Sequence, residues 1–259
     1  MIAIPVPLPP SSRAAPAGLP GARAAEWRPG RGASPCALHA EIFAPAGEAS
    51  GAALALAFAR DRMAGAADPL VDAVRDWPDQ RPWLWVQDKA AIRLSGRPYR
   101  PGLPRELRHR LLHVAAASPE DALFALEEGL RCRDLAFVIG EIAGNPAALS
   151  FTASRRLSLV AERHGVPLWL VRLDAARDLS SARMRWQARA APSPQDLGPA
   201  RWNPQAPGTP AWRAELFRAR NHPPGEWTLR DEGRLTARRE PPHPLDLAGD
   251  AGDRSLAAG

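Results

Sequence analysis

Residues 40–60 read AEIFAPAGEASGAALALAFAR, a short apolar run, a loop ending on Gly51 and a helical pattern. Loops that cradle phosphates occupy this position between strand and helix. Their glycines let backbone N–H groups approach the anion, a lysine neutralises the outer phosphates, and a Ser or Thr holds magnesium. Here Gly51 stands at the last glycine position, and Ala52 and Ala53 fill the places of the lysine and the Ser/Thr. Ala46 stands at the first glycine position with Gly47 beside it. Such a loop offers backbone dipoles without a cation or a metal ligand, whereas phosphoryl transfer rests mainly on magnesium and cationic side chains. ATP hydrolysis is therefore not expected, and an ordinary strand-to-helix turn explains the loop equally well.

A second chemistry lies in residues 182–190, ARMRWQARA, which alternate strictly. Met184, Trp186 and Ala188 point one way, and Arg183, Arg185, Gln187 and Arg189 the other. Arginines two residues apart on a strand are about 6–7 Å apart, a spacing suited to tracking phosphates. The alternative is a solvated sheet face with surface ion pairs. His109 and His113 have a helical metal spacing, but His113 falls in a strand-like run, so no metal site is expected. No G-x-S-x-G elbow occurs, because Ser50 in GEASG lies one position late. Trp83, Trp85, Trp169 and Trp186 sit in apolar runs and read as core, whereas Trp202 and Trp212 flank a proline-rich loop and read as interface anchors.

The elements that would carry these residues alternate between strand and helix patterns, the sign of an α/β sheet. Strands are expected at 40–43, 83–86, 111–114, 135–139 and 166–171. A helix is expected over 52–63. Another follows Ser118-Pro119-Glu120-Asp121, where Ser caps, Pro takes the first position and the acids meet the positive end of the dipole. A third is capped by Thr152 and stops at Gly165. After Asp174 the pattern turns to antiparallel strands, at 182–190, 211–220 and 226–236, the last with a turn at Asp231-Glu232-Gly233.

Composition bounds the rest. The chain has 259 residues, enough for one domain of about 200 residues with tails. Residues 1–34 carry four arginines against Glu26 and read as a disordered basic N-terminal arm. Residues 240–259 carry Arg254 against four acids and read as a flexible C-terminal tail, leaving 35–239 as the core. Net charge is +6, and Lys89 is the single lysine among 34 basic residues. The basic balance raises the prior for a nucleic-acid partner. No apolar run approaches the ~20 residues of a membrane span, and MIAIPVPLPPSSR makes a poor secretory signal. Two cysteines, Cys36 and Cys132, support neither a disulfide framework nor a four-Cys zinc site, so a reducing cytoplasm is expected.

Read in order, several segments resemble the RecA-like core and, within it, the ImuA proteins of bacterial SOS-mutagenesis cassettes. They are LHAEIFAPAGEASGAALALAFA, PWLWV, PYRPGL, SPEDALFALEEGLRCRDLAFVIGEI, LSFTASRRLSLVAERHGVPLWLVR, SSARMRWQARAAPSP, PAWRAELFRAR and PGEWTLRDEG, spanning about residues 36–233. The TASRRLSLVAERHGVP and SARMRWQARAAPSP stretches are the most specific. The resemblance implies a mainly parallel twisted sheet flanked by helices, with antiparallel C-terminal strands. It places the magnesium-orienting Asp at Gly140, with Glu141 next, and the catalytic Glu at Lys89, after Asp88. Both are lost, as at Ala52 and Ala53, so the resemblance implies no bound cofactor and a non-catalytic scaffold.

Its implied partners are an ImuB-like protein and an error-prone replicative-type polymerase, with RecA contact, non-specific DNA and self-association besides. Its implied location is cytoplasmic, nucleoid-associated when active. Arg155 and Arg156 fall near DNA-facing loops of such a fold, and Arg218 and Arg220 resemble a basic pair presented across a subunit interface. These join Arg183, Arg185 and Arg189 as candidates for DNA or partner binding. A second reading is a SulA-like, SOS-induced inhibitor of cell division; a third is an active RecA-like ATPase.

Overall fold

All six residues of HAEIFA are buried in strand β1 (His39–Ala44), His39 and Glu41 on one face included. That is the pattern of a strand covered on both sides in a parallel sheet. The computed structural model describes Pro29 and residues 38–65, 79–193, 208–232 and 235–239. The expected N-terminal arm and C-terminal tail, Cys36 and Trp202 lie outside these residues.

Helix α1 (Ser50–Gly65) follows β1. Then come β2 (Trp83–Asp88), α2 (Lys89–Ser95), the short α3 (Arg105–Arg108), β3 (Leu111–Ala116), α4 (Pro119–Arg131) and β4 (Val138–Ala143). Helix α5 (Phe151–His164) leads to β5 (Leu168–Leu173) and β6 (Met184–Ala190), and β7 (Ala211–Ala219), β8 (Gly225–Asp231) and β9 (Leu235–Arg239) close the order. The nine strands form one sheet in the order β3-β2-β4-β5-β1-β6-β7-β8-β9. Pairings from β3 through β6 are parallel, and those from β6 through β9 antiparallel. The expected α/β class, mostly parallel with an antiparallel C-terminal extension, is what the chain adopts.

Two apolar layers sandwich the sheet. On one face, Leu54, Ala55 and Ala59 of α1 pack with Ile42, Val171, Trp186, Trp212 and Trp227, a layer that also contains Trp83, Trp85 and Trp169. On the other, Leu123, Leu126 and Leu130 of α4 and Leu157 and Ala161 of α5 pack on Leu84, Val138, Leu168 and Leu170. Gly51 lets α1 close on the sheet: a Cβ there would lie 2.7 Å from Val171 Cγ1 and 2.8 Å from Ala44 Cβ.

Several local expectations need correction. Ser150, not Thr152, caps α5, its side chain accepting from the Ala153 N–H. The strand expected at 135–139 is β4 (Val138–Ala143), extended beyond the apolar run because Glu141 is accommodated inside it. The run 226–236 divides into β8 and β9. Trp212 is not an exposed anchor: at 5 % exposure it belongs to the α1-side core. The Ser118 cap of α4 and the Gly165 stop of α5 (φ 74°) are as expected.

Candidate functional site

The loop between β1 and α1 lies at the C-terminal edge of the parallel strands, where α/β sheets bind ligands. Its backbone is engaged by acids. The Ala46 N–H donates to Asp174 Oδ1 at 2.9 Å, and the Asp174 N–H donates back to the Ala44 carbonyl at 3.1 Å. Asp174 holds a left-handed φ of 48°, which Asp tolerates better than most residues. Across the loop, Glu48 Oε2 accepts from the Ala190 N–H at 2.7 Å. Gly47 is exposed with open space around its α-carbon. Ala52 and Ala53 are half-buried and pack against the α1-side core. The loop therefore presents backbone N–H groups beside two carboxylates. Its Gly51 is already required for helix–strand packing.

Next to it, β4 carries Glu141 opposite Gln87 of β2. Alternation decides which residue of the pair 140/141 faces α1. Gly140 faces the α4 layer, where a Cβ would lie 2.9 Å from Leu126 and Leu170 side-chain carbons. Glu141 is on the α1 side and buried. Its Oε2 accepts from Gln87 Nε2 at 2.7 Å and Trp85 Nε1 at 3.2 Å, and Oε1 from Ser95 Oγ at 2.8 Å. Burial pushes its carboxyl above the usual range, with the nearby Asp88 adding to the rise and the three donors opposing it. Gln87 Oε1 meets His113 Nε2 at 2.9 Å, and burial lowers that imidazole, with Arg97 and Arg100 adding to the effect. Asp88 is committed to the N-terminus of α2, Oδ1 accepting from the Ala91 N–H at 2.6 Å. Lys89 is exposed at the start of α2.

Arg183, just before β6, and Arg185 and Arg189 within it occupy three environments. Arg183 pairs with Glu162 of α5 at 2.5 Å. Arg185 is 3 % exposed, so the expectation that its guanidinium reaches a phosphate is corrected. Its Nε donates to Glu41 Oε2 at 2.7 Å, and the group lies 5.0 Å from the centre of the Phe43 ring. Arg189 alone of the three is exposed.

Arg185 belongs to a buried network absent from the sequence reading. Glu41 also accepts from Ser180 Oγ at 2.7 Å and lies 3.9 Å from Arg172 Nη1. Arg172 bridges to both oxygens of Asp178 at 3.3 Å and donates to the Gly144 carbonyl at 3.0 Å. Asn145 holds Asp178 and the Ala176 backbone. Ser154, Ser158, Ser180 and Ser181 continue the network to His39, whose Nδ1 meets Ser158 Oγ at 2.7 Å. Two arginines and two acids thus fasten the β5–β6 connection to the sheet. The sequence signal was a charged residue inside each of β1, β5 and β6, but nothing local placed them together.

Arg155 and Arg156 are exposed on α5, and Arg156 pairs with Glu127 of α4. Arg218 and Arg220 are exposed at the end of β7. His113 lies in β3, and among the described residues no three His, Cys, Asp or Glu side chains group for a metal. Cys132 is a free, exposed thiol. No helix among the described residues is long and apolar enough to cross a membrane.

Fold and site together define an α/β protein with a helix-flanked, mostly parallel sheet, an antiparallel extension, and a central strand–loop–helix unit with Ala52 and Ala53 in the first turn of its helix. No protein-family model matches the chain. Two curated proteins called Protein ImuA, from Caulobacter vibrioides strains NA1000 / CB15N and ATCC 19089 / CIP 103742 / CB 15, are each 32 % identical to it over 162 residues. The matched stretch is 58 % of this chain and 60 % of each relative, so the chain spans less than two thirds of their length.

Proposed function

We propose that the chain is a non-catalytic accessory protein of damage-inducible, error-prone translesion DNA synthesis, built on a degenerate RecA-like core. It would act with an ImuB-like protein and an error-prone replicative-type polymerase, holding partners near DNA rather than transforming a substrate. The observation carrying this reading is the loop after β1. Ala52 and Ala53 supply neither cation nor metal ligand, and Asp174 already takes the Ala46 N–H. A magnesium nucleotide does not fit these residues, because its phosphates would face carboxylates at short range in a partly dry setting. Glu141 already accepts from Trp85 and Gln87 of β2 and from Ser95 of α2.

The test measures ATP turnover by the full chain with magnesium, with and without single-stranded DNA, and capture of an ImuB-like protein on the immobilised chain. The expected outcome is turnover indistinguishable from a protein-free blank together with capture. Turnover dependent on both magnesium and DNA would sink the non-catalytic reading, and absence of capture would sink the accessory one.

A further inference from the structure

Strand register brings together arginines that lie far apart in sequence. Arg189 of β6 is directly opposite Arg213 of β7, Arg213 opposite Thr228 of β8, and Thr228 opposite Arg238 of β9. Residues in such a row share one face. That face is opposite the α1-side core, since the intervening Ala188, Trp212, Trp227 and Leu229 point to α1. Arg230, two residues along β8 from Thr228, joins the same face. Arg189, Arg213 and Arg238 are exposed and Arg230 half-buried.

The row crosses four strands, about 14 Å at the usual inter-strand spacing. Among the described residues, α4 and α5 lie over the strands from β3 to β1, and α1 lies on the opposite face. The 174–181 connection reaches only as far as Phe217 and Glu215, where Arg177 stacks and pairs. Glu226 lies 3.4 Å from Arg213. Two arginines directly opposite on neighbouring strands repel, and that arrangement becomes favourable when an anion lies between them.

We propose that this open face of β6–β9 binds the phosphate backbone of a nucleic-acid strand through Arg189, Arg213, Arg230 and Arg238. The inference rests on the reading that the chain works on DNA, and it moves the contact surface from the alternate arginines of β6 to one row across four strands. Arrangement and charge favour a backbone: the row follows the strand register across the sheet, and guanidinium groups pair with phosphates.

The test is fluorescence polarisation of a labelled single-stranded DNA of about 30 nucleotides with the full chain, titrated from about 50 to about 200 mM salt. The triple change Arg189→Gln, Arg213→Gln, Arg238→Gln should weaken low-salt binding at least about tenfold and flatten the salt slope by about 2, or 0.7 for each lost contact. Lysine at the same three positions should restore most of the slope, which a merely structural role would not do. Neutralising Arg131, Arg133 and Arg163 on the helix layer to Gln should change it little. Unchanged binding by the glutamine triple, an equal loss in the helix-layer control, or no DNA binding by the wild type each overturns the site. Continued capture of the ImuB-like protein in any of these cases leaves the accessory reading standing. Lost capture with intact DNA binding does the reverse.

Discussion

Glu41 has no solvent exposure and sits between two arginines that are each almost wholly buried. Taking those charges out of water is costly, and only the complete set of partners offsets it. Glu41→Ala would take the acceptor from the buried Arg185 Nε and leave two almost wholly buried guanidinium groups to share Asp178. The expected loss is about 3–5 kcal/mol of unfolding free energy, read from urea denaturation. His39 closes the far end of the same network. Burial, with Arg185 adding, lowers its pKa from 6.5 to about 4, against the opposing pull of Glu41 and Glu162. Between these values the unfolded chain binds a proton that the folded chain does not. Stability from this group is therefore full above about pH 6.5 and declines as pH falls toward 4, by about 3 kcal/mol at most. Urea midpoints of the wild type at about pH 7.5 and about pH 5 should differ more than those of His39→Gln. Equal differences would show that His39 titrates normally.

At the scale of elements, β1, its loop and α1 form a unit whose glycine serves packing. The groups facing Gly51 are a valine γ-carbon and an alanine Cβ on strands, neither of which can swing away. Gly51→Ala should cost about 1–3 kcal/mol by overpacking, visible as a lowered thermal midpoint. The loop also sets what restoration of the motif can do. Ala52→Lys with Ala53→Thr returns the missing side-chain types but leaves Asp174 on the Ala46 N–H and Glu48 on the Ala190 N–H. Magnesium-dependent ATP turnover should stay absent in that double variant; its appearance would mean that the two alanines alone had silenced the loop.

Over the whole molecule, charge is distributed by sheet face. The buried arginines lock the β5–β6 connection, Arg131 of α4 and Arg156 of α5 pair with Glu127 and Glu128, Arg183 pairs with Glu162 of α5, and the exposed row falls on the antiparallel extension. A net charge of +6 could not distinguish these roles. The arrangement predicts that removing Arg189, Arg213 and Arg238 affects DNA binding while scarcely moving the thermal midpoint, because exposed pairs contribute little. The Glu41 substitution should do the opposite.

Apolar periodicity over two to six residues, cap chemistry at Ser118 and Gly165, and the alternation of 182–190 depend on neighbours close in the chain, and they made the strands, helices and α/β class legible in the sequence. The expectation that Ala52 and Ala53 stand where a phosphate loop carries its lysine and hydroxyl is likewise local, since such a motif is contiguous. Only the tertiary structure decided which arginines are buried, that Glu141 rather than Gly140 faces α1, that Trp212 is core, and that Arg189, Arg213 and Arg238 share one row. Each of these depends on strand register and on what covers a face. Those are set by contacts between residues distant in the chain, 144 positions apart in the pairing of Glu41 with Arg185 and 171 in that of Arg60 with Asp231, and no local pattern encodes them.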